Sequence, residues 1–157
     1  MTLIEENFSN YSAWHQRSKL LPLIFTEKEE FQKAIADELE IVQNAFYTMP
    51  NDSSAWFYHR WLVNQNPTKE VLEGELTKIN ELLDILESKD EKKCMYLSMF
   101  AIFCGFNFFF FCTGPKLTIV FLLRHLGDRE SEVNTILEEL IQLDPARTKF
   151  YQQCKKA

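Results

Sequence analysis

Imidazole, guanidinium and phenol groups gather twice in the 157-residue sequence, each time around Ser-Ala-Trp. Asn10, Tyr11, His15 and Arg17 surround Trp14, and Asp52, His59, Arg60 and Trp61 surround Trp56. Such groups donate hydrogen bonds and carry positive charge. They can pair with acids of a neighbouring hairpin, such as Glu38 or Glu40, or they can face a partner or the rim of an active site. An active site complete in this chain is not expected. There is no Ser-His-Asp ordering of recognisable type and no glycine-rich phosphate loop, and the histidines are His15, His59 and His125. Four cysteines, at 94, 104, 112 and 154, form no Cys-x-x-Cys pair and have no histidine at zinc-ligand spacing. Reduced thiols and no metal held by this chain are therefore expected.

The elements that position these groups follow from the repeat. The second Ser-Ala-Trp lies 42 positions after the first, and a fixed period of this size signals stacked helical hairpins. Asn10 and Asp52 are good N-caps, so a helix is predicted to start after each. Ala13, Trp14, Arg17 and Leu21 then share one side of the first helix, and Ala55, Trp56, His59 and Val63 share that side of the second. Trp14, Trp56 and Trp61 are expected to pack between hairpins. Pro22 is expected to stop the first helix. Thr26 and Glu29 read as a capping box for a helix from Glu27 to Tyr47, whose face is Phe31, Ile35, Leu39, Val42 and Phe46. Asn66-Pro67 reads as the start of a long helix to about Ser88, with Val71, Leu72, Leu76, Ile79, Leu83 and Leu86 inside. Lys69, Glu70, Glu73, Glu75 and Lys78 read as its solvated face. Asp90, Glu91 and Lys92 make a turn. Gly127-Asp128 ends one helix and caps another with core residues Val133, Ile136, Leu137, Leu140 and Ile141. Asp144-Pro145 opens the last helix.

Asn-Tyr-Ser-Ala-Trp-His-Gln-Arg from Asn10 and Asp-Ser-Ser-Ala-Trp-Phe-Tyr-His-Arg-Trp-Leu-Val from Asp52 resemble successive repeats of the protein prenyltransferase alpha subunits. Asn7 to Tyr11 and Glu38 to Phe46 resemble the alpha subunits of Rab geranylgeranyltransferases in particular. The resemblance is clear from Asn7 to Val63, weaker from Val71 to Leu86 and from Leu117 to Tyr151, and poor between Cys94 and Lys116. It implies an all-α fold of antiparallel helical hairpins, a fragment of a right-handed superhelix. The expected organisation is one repeat domain over 1–157. Its copies lie at about 1–25 and 27–64, a weaker repeat at 67–126 carries an apolar insertion at about 100–117, and C-terminal helices cover 128–154. Earlier repeats are expected to be missing.

The resemblance also implies the chemistry. A zinc-bound thiolate of a Rab C-terminal cysteine attacks the first carbon of geranylgeranyl diphosphate. The zinc and the isoprenoid pocket belong to a beta subunit, and an escort protein presents the Rab. This chain would support that partner without being active alone. Asn10, Tyr11, His15, Arg17, His59 and Arg60 are the residues expected to face the beta subunit or the active site. Ser18 and His59 depart from the basic positions of the family motif. Ser9 and Asn51 stand where farnesyl-transferring relatives place a lysine, so no catalytic lysine carries over. A non-catalytic repeat scaffold is the alternative.

With 17 basic and 23 acidic residues the net charge is -6 and the pI about 5.1, which argues against nucleic acid as a partner. The N-terminus has no secretory pattern, and a cytoplasmic location is expected. Met95 to Gly114 holds 20 uncharged residues rich in phenylalanine and is long enough to be a membrane-span candidate. Gly105, Asn107 and Gly114 interrupt it, and the flanking repeats read as soluble hairpins, so a membrane-anchored protein is the lesser alternative.

Overall fold

The computed structural model describes residues 9–50, 52–87, 113–127 and 129–156. Among these residues all regular structure is helical, as expected. The helices are α1 (Tyr11–Ile24), α2 (Lys28–Thr48), α3 (Ser53–Gln65), α4 (Lys69–Glu87), α5 (Thr113–Leu126), α6 (Glu130–Leu143) and α7 (Thr148–Cys154); a short 3-10 turn, Pro145–Arg147, precedes α7. The chain divides into two compact units, Met1–Val71 and Leu72–Ala157.

In the first unit both motif caps form as expected. The Ala13 N–H donates to Asn10 Oδ1 at 3.1 Å, and the Ser54 N–H donates to Asp52 Oδ1 at 2.7 Å. The two tryptophan helices, α1 and α3, pack directly on each other, and α2 packs against α3. The predicted apolar face of α2 is its buried face: Ile35, Leu39, Val42 and Phe46 are in the core, with Phe31 half-buried. Phe46 stacks on Trp56 with ring centroids 3.7 Å apart, and the Trp56 indole N–H donates to the Pro50 carbonyl at 2.7 Å. Those two contacts fix the turn between α2 and α3.

Three boundaries differ from expectation. Pro22 lies inside α1 and does not stop it. A proline so near the end removes one bond, to the Ser18 carbonyl, and the Phe25 N–H donating to the Leu21 carbonyl closes the last turn. The Thr26 capping box does not form; Glu27 is the N-cap of α2 and makes no side-chain capping bond. The start is set by burial of the face that begins near Phe31, because a cap contributes about 1 kcal/mol and packing more. Asn66 closes α3 and does not open α4, and Thr68 Oγ1 accepts from the Val71 N–H instead, at 3.4 Å.

In the second unit Leu72, Leu76, Ile79, Leu82, Leu83 and Leu86 line the buried side of α4. Glu75 is buried with them and does not belong to the solvated face. It sits three residues after Leu72 and four before Ile79, which puts it on the apolar stripe; Lys78 Nζ pairs with it at 3.1 Å. α5 packs on α6, and α6 on α7. Gly127 ends α5 in the left-handed region at φ 82, as a C′ glycine does. Val133, Leu137 and Leu140 form the buried seam of α6. Arg129 is its N-cap, and Asp128 lies outside the described residues. Asp144 accepts from the Tyr151 hydroxyl at 2.9 Å and pairs with Arg147, tying the turn to α7.

The turn at Asp90, Glu91 and Lys92 and most of the phenylalanine-rich run lie outside the described residues. Residues 113–117, read as the end of an insertion, form the start of α5. No helix among the described residues is long and apolar enough to cross a membrane.

Candidate functional site

The repeated motif builds one surface feature in the first unit, a groove of about 180 Å³ between α1 and α3. Tyr11, Trp14, His15 and Ser18 line it from α1, and Ser54, Phe57, Tyr58 and Trp61 from α3. The lining follows from spacing: 11, 14, 15 and 18 lie on one side of a helix, and so do 54, 57, 58 and 61. The caps at Asn10 and Asp52 set the phase of each helix. Tyr11 and His15 stack at 5.9 Å, and Tyr58 and Trp61 at 5.7 Å. Trp14 lies against Tyr58 at 4.9 Å and forms the floor, while Tyr11, His15 and Phe57 are exposed at the lips.

Beneath the groove one carboxylate joins three helices. Glu38 of α2 accepts both a 2.9 Å bond from Arg17 Nε and a bond from a terminal guanidinium nitrogen of Arg17, and its Oε2 accepts the Tyr58 hydroxyl at 2.7 Å. Glu38 is buried. The hydrogen bond to Glu38 is the main reason the Arg17 pKa is raised. Burial first, then the same carboxylate, holds the Tyr58 phenol far above its ordinary range. The shared carboxylate thus ties both side chains to α2.

The six residues expected to face a beta subunit or an active site thus differ in burial. Tyr11 and His15 are exposed. Asn10 is half-buried and spends its side chain on the cap. Arg17 pairs with Glu38, one of the two acids the sequence offered. His59 is 0% exposed and does not face outward. It lies edge-on to Phe46 at 5.2 Å and to Trp56 at 6.4 Å, on the helix side that α2 covers. Arg60 is half-buried, its guanidinium 4.8 Å above the exposed Phe57 ring, and burial lowers its pKa. Trp14 and Trp56 are core residues as expected, but Trp61 is a half-exposed groove wall.

Sequence reading missed Phe57 and Tyr58 as groove residues. The signal was available, since Phe57 stands 42 positions after His15 and at the same helical phase. What the arrangement offers is an aromatic contact surface with hydroxyl and imidazole donors at its edge and a cation beside it. Among the described residues no three His, Cys, Asp or Glu side chains converge to hold a metal.

Residues 1–24 and 35–66 match the protein prenyltransferase alpha subunit repeat. The chain is 39% identical over 144 residues to Geranylgeranyl transferase type-2 subunit alpha of Dictyostelium discoideum, a match covering 87% of this chain and 39% of that protein. The protein of that name from Rattus norvegicus is 49% identical over 77 residues, 45% of this chain and 14% of its own length. That from Schizosaccharomyces pombe is 38% identical over 96 residues, covering 56% and 28%. The chain therefore spans well under half the length of these curated relatives.

Proposed function

The chain carries repeats of the protein prenyltransferase alpha subunit family, and from that premise we propose that it is an alpha subunit, or part of one, of a Rab geranylgeranyltransferase. It supports transfer of geranylgeranyl groups to C-terminal cysteines of Rab GTPases and works in the cytoplasm. A beta subunit holds the zinc that activates the substrate thiol, and an escort protein brings the Rab. The residues of this chain act by binding that subunit.

The observation that carries this reading is the exposed aromatic lip of the groove. Tyr11 is 58% and Phe57 57% exposed, with His15 and Arg60 beside them. Tyrosine, tryptophan and arginine are the side chains that most often anchor protein interfaces, because they bury large area with little entropy loss. Arg17 and His59 are left out of this surface, as their side chains serve the core. The test is affinity for a beta subunit after Tyr11, His15, Phe57 and Arg60 are replaced together by alanine. Binding at least tenfold weaker, with helicity unchanged, supports the reading. Unchanged affinity overturns it.

A further inference from the structure

The groove between α1 and α3 is paved with flat rings and edged with hydrogen-bond donors. From α1, Tyr11 and His15 lie parallel to within 7°, and from α3, Tyr58 and Trp61 to within 17°. Among the described residues no hydrogen bond engages the Tyr11 hydroxyl or the Trp61 indole N–H. Arg60 adds a guanidinium over the Phe57 ring at the lip. The indole and the guanidinium can only donate. Glu38, the carboxylate beneath the floor, already accepts from Arg17 and Tyr58. An occupant must therefore bring compact apolar groups for the rings and bare acceptors for the rim. A helix does not, because its carbonyls bond within it except over the last turn. A β-strand carries as many N–H groups as carbonyls, and two helices offer it no edge to pair with. A polyproline II segment does: its carbonyls face solvent, and each proline lacks the N–H that would need an acceptor. Its rings pack on aromatic faces. The dimensions agree as well. Positions 11 to 18 and 54 to 61 each advance about 10 Å at helical rise, and three polyproline II residues span about 9 Å.

We propose that the groove seats one turn of an extended, proline-bearing segment of a partner protein, with an acidic residue beside the proline to meet Arg60. This rests on the reading of the groove as a docking surface and adds the chemistry of what enters it. Charge sharpens the expectation. The chain's net charge of -6 by itself favours a basic peptide, so a preference for acid reports the lip and not the whole molecule.

The test is fluorescence anisotropy of labelled peptides with the full 157-residue chain. The probes are an oligoproline ending in glutamates, the same ending in lysines, and a glycine-serine peptide ending in glutamates. The acidic oligoproline is expected to bind at least tenfold tighter than the glycine-serine peptide and at least threefold tighter than the basic oligoproline. Tyr11→Phe and Trp61→Phe keep a ring and remove a donor, and each should weaken it at least threefold. Both side chains are partly exposed, so neither change disturbs the core. Leu23→Ala, at a position 73% exposed and outside the groove, should leave binding unchanged. Equal affinity for proline and glycine-serine probes, a preference for lysine, or full binding by both phenylalanine variants overturns the proposal. A beta subunit added to the same chain separates the two readings. If the alanine variant of the lip loses the beta subunit while no probe binds selectively, the docking surface stands and this proposal fails. A selective oligoproline on a chain indifferent to a beta subunit supports this proposal and overturns the subunit reading.

Discussion

At Glu38 one carboxylate answers donors from two helices besides its own, so the charge of Arg17 is spent inside the repeat. Removing the arginine strands a buried anion, which costs more than the pair gains by existing. Arg17→Ala is expected to lower unfolding stability by about 3 kcal/mol. Arg17→Met with Glu38→Leu should cost clearly less, because two apolar groups leave no unpaired charge. Urea midpoints of the single and double variants decide; equal losses would contradict the argument. A second residue-scale prediction concerns alkali. Burial, aided by the bond to Asp144, pushes the Tyr151 phenol up to about 12. The unfolded phenol titrates near 10, so between pH 10 and 12 the unfolded state has lost a proton that the folded state keeps. Stability from this group is intact below about pH 10 and falls as pH rises through 12, by roughly 2 to 3 kcal/mol. Tyr58, shifted in the same direction, prolongs the fall. Tyr151→Phe should flatten the slope between pH 10 and 12, and an unchanged slope would refute the assignment.

Helices follow from strong, repeated signals and mislead where a single weak one was used. The Trp14 and Trp56 helices, their caps and the face of α2 were legible because period, cap and apolar spacing agree at each. The Thr26 capping box and the Asn66-Pro67 start were not, since each rests on one local hydrogen bond that packing of a long buried face outweighs. Glu75 was misplaced for a related reason: its residue type suggested solvent, while helical phase, counted from Leu72, places it inside. His59 was counted on the Trp56 side of its helix, and that phase is the one that buries it. The groove was half legible: Tyr11 and His15 were named, but pairing them with Phe57 and Trp61 needed the contact between α1 and α3. Two substitutions test this scale. Trp56→Ala should destabilise by about 3 to 5 kcal/mol, since the indole stacks on Phe46 and bonds to Pro50. Pro22→Ala should stabilise by about 1 kcal/mol, restoring a backbone donor in the last turn of α1. A melting temperature that does not rise in the latter would mean that the proline already costs nothing there.

On the scale of the whole molecule, charge and site composition point the same way. A net charge of -6 gives no long-range attraction for a diphosphate, whose departure needs cationic or hydrogen-bonding groups held close to it. Making a thiolate at neutral pH needs a metal or a strongly electropositive pocket. The groove supplies hydroxyls and an imidazole stacked on a phenol, and beside it one arginine lies over Phe57. Those are groups for contact and alignment. The chain is therefore expected to show no geranylgeranyl transfer when mixed with geranylgeranyl diphosphate, a Rab and an escort protein. On the proposed function, transfer should begin when a beta subunit is added, in proportion to the complex formed. The groove-lip variant of Tyr11, His15, Phe57 and Arg60 should then lose rate at limiting subunit and recover it at saturating subunit, because its defect lies in assembly and leaves chemistry intact. Turnover by the chain alone would overturn this division of labour. A rate that stays low at saturation would move the lip residues from binding the subunit to serving the reaction.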